Sequence, residues 1–344
     1  MSTRVLCAGD RFISPQLLAT AAAAAFPTDP VLHESAWPDE PFGQVDGVRE
    51  AAGDPVSLAE LAIDAEVLLT HLAPVTDRVL SAAGGLRVVG VARGGPVNVD
   101  IPAATRLGVP VIYLPGRNLN AVAEYVIGLM IASCRSIGPA SADLTAGRWD
   151  ARWFRYERTG PELGSSTVGL VGLGAVGSRV ATLLSAFGAT VLAADPYADP
   201  TAAQAVGAQL VELPKLLGRS DIVSLHARLT PETQRMFSAE QFRAMKPGAR
   251  LINTARGELV DEQALTAALA SGHLGGAALD VFHPEPPAPD DPLLHRSDVL
   301  ATPHLAGASR QVAELSVQRL AREVGQFLAT GQITHCANPE AIAG

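Results

Sequence analysis

The chain has 344 residues, enough for about two domains and a sizeable core. Hydrophobic residues make up 48% and charged residues 18%, and the net charge is −9, so the class is globular with no general attraction for nucleic acid or an anionic membrane. No apolar run reaches the roughly 18 residues of a membrane span, and Asp10 and Arg11 interrupt any signal-peptide core. Cys7, Cys134 and Cys336 make neither a metal spacing nor a disulfide framework; they read as small buried hydrophobes in a reducing cytoplasm.

In chain order, short β-type runs alternate with helical patterns. The first third predicts strands at Val5–Ala8, Val31–His33, Val67–Thr70, Arg87–Val91 and Val109–Tyr113. Helices are expected at Pro15–Phe26, where Ser14 is a cap and Pro15 suits the first turn, and at Leu58–Ile63, Thr76–Ala83 and Ile101–Leu107. The apolar stretch Asn118–Ile137 reads as one buried helix. The alternation restarts with strands at Thr167–Gly172, Thr190–Ala194, Ile222–Leu225, Ala249–Asn253, Gly276–Asp280 and Val299–Ala301. A last helix spans Ala308–Ala329. Two such series imply an α/β protein with two doubly wound parallel sheets.

The segment VGLVGLGAVGSRV holds Gly172-x-Gly174-x-x-Gly177 between a strand and a helix. Gly172 permits the tight turn, Gly174 admits a pyrophosphate to the backbone, and Gly177 lets helix pack on strand. The next strand ends in Asp195, 18 residues after Gly177, where a carboxylate accepts ribose hydroxyls. It repels a 2′-phosphate, and no Arg or Lys follows in Pro196–Gln204 to attract one. The cofactor is therefore read as NAD.

Three further polar residues stand at or just beyond strand ends: Arg256, Glu285 in the five-proline loop FHPEPPAPDDP, and His304. Arginine forks a carboxylate, histidine passes a proton near neutral pH, and glutamate raises and orients it. This is the set that reducing the keto group of a 2-oxo acid requires. Each alone reads equally as a surface charge or a loop histidine, but strand-end placement beside a nucleotide fold favours a site.

These segments, ELGSSTVGLVGLGAVGSRVA, AADPY, KPGARLINTARGELVDEQAL, GAALDVFHPEP, TPHLAGAS, RGGPVNVDIPAATRLGVPV and NLNAVAEYVIGLM, resemble the D-isomer-specific 2-hydroxyacid dehydrogenase family over nearly the whole chain. The resemblance implies a Rossmann NAD-binding domain, residues 116–308, inserted in a flavodoxin-like substrate domain, residues 1–115 and 309–344. It implies that Arg256 binds substrate, His304 gives the proton and Glu285 supports His304, while Arg93, Gly94 and Gly95 hold the substrate carboxylate. Cofactor contacts are implied at Gly172, Gly174, Ala175, Val176, Gly177, Asp195, Ala227, Thr254, Ala255, Arg256, Asp280, His304, Ala306 and Gly307. The expected activity is NAD-dependent hydride transfer at C2 of a small 2-oxo or D-2-hydroxy acid, by a cytoplasmic homodimer without membrane or nucleic-acid partners.

The chain also departs from the family. Phosphoglycerate dehydrogenases carry an Arg before the first-domain loop, where LLTHLAPVT puts Thr70 and His71, and some carry a regulatory domain that is not expected here; phosphoglycerate is disfavoured. Formate is disfavoured too, because formate dehydrogenases have Gln in place of Glu285. Arg228 stands where the family usually has Pro, and is either a solvated loop charge or an adenosine contact. His71 lies in the specificity loop. Arg117 is either a surface arginine at a helix start or the contact for a second anionic or polyhydroxylated substrate end. Trp149, Trp153 and Phe154 are expected at a dimer interface, one of them as a candidate to reach the partner's site. Two other readings stay open: a non-enzymatic NAD(H)-responsive binding protein of corepressor type, and a phosphite-type dehydrogenase.

Overall fold

The computed structural model describes residues 2–37 and 43–342. The chain divides into two compact units, Met1–Asn118 with Ser309–Gly344, and Leu119–Ala308. The boundary thus falls at 118/119 rather than 115/116, because the next helix starts only at Leu119.

The first unit runs β1 (Thr3–Gly9), α1 (Pro15–Ala25), β2 (Thr28–Glu34), β3 (Gly43–Val45), β4 (Val48–Ala51), α2 (Pro55–Ala62), β5 (Val67–Thr70), α3 (Asp77–Ala82), β6 (Val88–Val91), α4 (Ile101–Arg106) and β7 (Val111–Ile112). The main sheet is parallel in the order β2-β1-β5-β6-β7. With the β3–β4 hairpin set aside, this is the flavodoxin-like order, whose reversal lies between β1 and β5. Alternation along the strands feeds two cores. Leu6, Leu68 and Val89 face α2, α3 and α4, while Val5, Cys7, Leu69 and Val88 face α1 and the C-terminal helix Arg310–Thr330. Side-chain caps start these helices where the sequence offers them: Ser14 accepts from Leu17 N–H, Asp54 from Val56 and Ser57, and Asp100 from Ala103. At Gly90 the C-terminal helix comes so close that a Cβ would lie 3.2 Å from both Leu320 and Val324.

The second unit runs α5 (Leu119–Cys134), α6 (Ile137–Thr145), β8 (Thr167–Val171), α7 (Ala175–Phe187), β9 (Thr190–Ala194), α8 (Pro200–Ala205), β10 (Ala208–Leu210), α9 (Leu213–Arg219), β11 (Ile222–Leu225), α10 (Ala239–Ala244), β12 (Arg250–Asn253), α11 (Glu262–Ala270), β13 (Gly276–Leu279) and β14 (Val299–Ala301). Its parallel sheet has the order β10-β9-β8-β11-β12-β13-β14, the Rossmann arrangement extended by one strand. Helices α5 and α7 cover one face, and α9, α10 and α11 the other.

One sequence expectation fails for a local reason, and two short elements lie outside the sequence reading. The single helix over Asn118–Ile137 is two helices bent by 66°. Pro139 cannot donate to the carbonyl of Arg135, and Ser136 turns left-handed at φ 52°. The β3–β4 hairpin was not expected, although its turn is Asp46-Gly47, both at positive φ as a type I′ turn demands. The short edge strand β10 was also missed.

Candidate active site

In the second unit, the expected cofactor and catalytic residues lie beyond the carboxyl ends of strands, in the loop or on the helix that follows. Gly172 follows β8 with φ 96°, and a Cβ there would lie 2.8 Å from the Ala227 nitrogen. A Cβ on Gly177 would stand 2.3 Å from the Gly172 carbonyl oxygen, so helix and turn touch backbone to backbone. Gly174, by contrast, borders open space. It caps α7 with no side-chain hydrogen bond, which leaves the first-turn N–H groups, those of Ala175 and Val176 among them, for an outside anion. Asp195, after β9, accepts from Leu173 N–H at 2.7 Å and Tyr197 N–H at 2.9 Å, which fixes its carboxylate beside the glycine turn. Thr254 Oγ1, after β12, is sealed from solvent with no partner among the described residues. An anion-ready helix start, an open glycine and a fixed carboxylate fit a dinucleotide. His226, whose Cβ packs near Gly177, has its Nε2 sealed as well; burial pulls its pKa down to about 4, so it stays neutral there.

Arg256 leaves β12 in a turn clamped by Asn253, whose Oδ1 accepts from Ala255 N–H at 3.0 Å and whose Nδ2 donates to the Arg256 carbonyl at 2.9 Å. Gly257 then passes the Phe282 backbone so closely that a Cβ would lie 2.1 Å from it. That approach joins the Arg256 turn to the proline loop bearing Glu285. His304 sits left-handed at φ 53°, its N–H on the Asp280 carbonyl at 2.9 Å. The buried Asp280 carboxylate holds the surrounding turn, accepting from Thr302 Oγ1 at 2.6 Å and from Leu305 and Ala306 N–H at 2.8 Å each. Gly307 closes the same turn before the C-terminal helix. His304 Nδ1 and Glu285 Oε2 are 2.9 Å apart. This hydrogen bond with the carboxylate raises the His304 pKa above its ordinary value, against desolvation and the Arg256 charge. Nδ1 donates to Glu285, which leaves Nε2 to exchange a proton. The structure thus brings Arg256, Glu285 and His304 onto one edge of one sheet.

In the first unit, Arg93, Gly94 and Gly95 follow β6. The Arg93 N–H is taken by the Val91 carbonyl, and its guanidinium binds the Glu50 carbonyl and carboxylate. Among the described residues the N–H groups of Gly94 and Gly95 have no acceptor. The turn bearing Arg117 packs against this loop, with Leu114 N–H on the Arg93 carbonyl at 2.7 Å. His71, after β5, is buried. Its Nδ1 lies 2.7 Å from Asp10 Oδ2, and its Nε2 accepts from Arg117 Nη2 at 3.2 Å. Burial lowers the His71 pKa despite Asp10, and burial with the nearby Arg93 charge pulls Arg117 down to about 10. Asp10 and Glu50 were not singled out in the sequence; Asp10 stands just past β1, which was the available signal. Trp149, Phe154 and Tyr156 are exposed, whereas Trp153 donates to Asp143 at 3.2 Å under the Arg158 guanidinium. Arg228 is exposed.

A family model described as D-isomer specific 2-hydroxyacid dehydrogenase, NAD binding domain, matches residues 127–306. The D-3-phosphoglycerate dehydrogenase of Mycobacterium leprae is 40% identical over 277 residues, which are 80% of this chain and 52% of that protein. The chain spans about half the length of the curated relatives it matches. Among solved structures, the TT0316 protein of Thermus thermophilus superposes with a TM-score of 0.79 at 31% identity, covering 97% of this chain and 100% of that one. D-lactate dehydrogenase of Escherichia coli superposes with a TM-score of 0.77 at 27% identity, covering 98% and 99%.

Proposed function

Because the chain belongs to the D-isomer specific 2-hydroxyacid dehydrogenase family, we propose that it interconverts a small 2-oxo acid and its D-2-hydroxy acid with NADH and NAD. The observation that carries this reading is the His304–Glu285 pair held on the Asp280 turn at the edge of an NAD-binding sheet. NAD(H), when bound, supplies or accepts the hydride. Its pyrophosphate is assigned to the glycine turn and the start of α7, and its adenosine ribose to Asp195.

The remaining work belongs to the chain's own side chains. Arg256 orients the keto acid and draws electron density toward its oxygen, a positioning effect. His304 donates a proton from Nε2 to the oxygen that becomes the hydroxyl, an effect of about 10²–10⁴-fold. Glu285 keeps the imidazole protonated and in register. In the first unit, Gly94 and Gly95 offer two N–H groups to the substrate carboxylate, with the Arg93 cation tethered beside them by Glu50.

We also propose a homodimer, on the strength of α6, which buries none of its residues and exposes Leu144, and of exposed Trp149, Phe154 and Tyr156 in the segment after it. Light scattering of the purified chain reads its mass directly. A cytoplasmic setting accords with three unpaired cysteines. No single helix among the described residues is long and apolar enough to cross a membrane.

The test is NADH oxidation by the purified chain with glyoxylate, hydroxypyruvate, pyruvate and larger 2-oxo acids. Turnover that falls at least 100-fold in His304→Asn is expected. NADH binding without turnover on any acid would overturn the reading in favour of a binding protein.

A further inference from the structure

Asp10, His71 and Arg117 form a buried chain of polar contacts where the first sheet reverses its strand order, the place where open α/β sheets receive ligands. Asp10 follows β1 and His71 follows its neighbour β5. The Asp10 carboxylate is fully buried and also takes the Phe12 and Ile13 N–H groups at 2.9 Å each.

The protonation pattern follows from the donors. A guanidinium only donates, so His71 Nε2 must accept from Arg117 and the ring proton must sit on Nδ1, facing Asp10. His71 is therefore neutral and works as a strut that fixes the Arg117 fork. The strut leaves one part of that fork unused. Arg117 Nη1 is sealed from solvent with no acceptor among the described residues. A buried guanidinium nitrogen without a partner is a standing cost that an anionic oxygen removes.

The neighbouring loop offers a separate place for an anion in the free N–H groups of Gly94 and Gly95. One unit thus carries two anion-seeking features on adjacent strand-end loops. We propose that Arg117, positioned by Asp10 and His71, receives a second anionic group on the substrate, distal to the carboxylate that adjoins the keto carbon. The substrate class is then a 2-oxo acid with a far carboxylate or phosphate rather than a simple monocarboxylate. This inference rests on the 2-oxo acid reductase reading above.

The experiment compares wild type, Arg117→Ala and Arg117→Gln on oxaloacetate and 2-oxoglutarate (far carboxylate), phosphohydroxypyruvate (far phosphate) and pyruvate and 2-oxobutyrate (neither). Wild type is expected to favour one dianionic class in kcat/KM, and that class identifies the group. Both Arg117 variants should lose roughly 10–100-fold on it, the range for a hydrogen bond to a charge, mainly through KM. That loss should exceed the loss on pyruvate at least tenfold. Arg117→Gln keeps a donor for His71 Nε2 and so separates lost recognition from lost folding. His71→Leu should copy the selective loss, while His71→Gln, whose amide can donate to Asp10 and accept from Arg117, should restore most of the KM.

Equal losses on pyruvate and the dianions, or a wild-type preference for pyruvate, would overturn the proposal and leave the reductase reading intact. Calorimetric titration of D-malate and D-3-phosphoglycerate against D-2-hydroxybutyrate into the NADH-loaded protein separates the two ideas. Arg117-dependent preference for either dianion without turnover on any acid would sink the reductase reading alone. Absence of that preference for both dianions would overturn the inference whatever the turnover.

Discussion

Asp280→Asn alters two atoms of one buried side chain, and its consequences can be worked through bond by bond. Oδ1 serves Thr302 Oγ1 and Leu305 N–H, while Oδ2 serves Ala306 N–H. The amide will turn its oxygen to the site with two donors, which sets its NH2 against the Ala306 N–H. A buried donor stripped of its acceptor costs about 1–3 kcal/mol, and loss of charge weakens each remaining bond by about 1 kcal/mol. Relief of the buried charge offsets part of this, leaving a net destabilisation of about 2–4 kcal/mol. Urea unfolding followed by circular dichroism measures it. The same turn carries His304 by its N–H bond to the Asp280 carbonyl. A shift of about 1 Å at a reacting group costs about 10²-fold, so NADH oxidation should fall by that order. Asp290→Asn removes the same charge from an exposed position of the nearby proline loop and should stay within about 0.5 kcal/mol of wild type. Should Asp280→Asn lose less than about 1 kcal/mol and keep its turnover, the assignment of Asp280 as the keystone of this turn is wrong.

The Glu285 hydrogen bond raises the His304 pKa, so the protonated acid survives to higher pH than an unassisted histidine would allow. In Glu285→Gln the alkaline limb of kcat/KM for reduction should move to lower pH; a limb that stays in place removes Glu285 from that role. Asp195→Ala should weaken NADH binding and relax discrimination against NADPH about tenfold or more, read as the ratio of the two kcat/KM values, and an unaltered ratio would place the ribose contact elsewhere.

What the sequence reveals of this molecule is what neighbouring residues encode. The strands β5, β9, β11 and β14 occupy the residues that their β-branched and apolar runs predict, because polar residues bound the runs: Glu66 and His71 for β5, Asp195 after β9, Asp221 before β11 and Asp298 before β14. Gly172, Gly174 and Gly177 are readable for the same reason, since the turn they shape is contiguous. Arg256, Glu285 and His304 come together because each follows a strand of one parallel sheet, and the parallel arrangement was itself readable. The Asp46-Gly47 turn and Pro139 are local signals of the same contiguous kind. The Asp10–His71 contact is of another kind. Its partners are 61 residues apart, and only the placement of β1 beside β5 joins them. No periodicity encodes that adjacency, nor the Asn253 and Asp280 clamps, which depend on backbone N–H and carbonyl groups that no side-chain pattern reveals.

The interrupted first unit has a consequence for how the protein is made. Residues 119–308 form their sheet from one uninterrupted stretch and can complete it while still attached to the ribosome. The first unit emerges earlier yet matures later. Until residues 309–330 follow, the face of its sheet formed by Val5, Cys7, Leu69 and Val88 has α1 but not Leu320, Ala321 and Val324 to shield it. The half that is synthesised first therefore waits, with apolar surface open to chaperones and to other nascent chains, for a helix encoded some two hundred codons downstream of its last strand, β7.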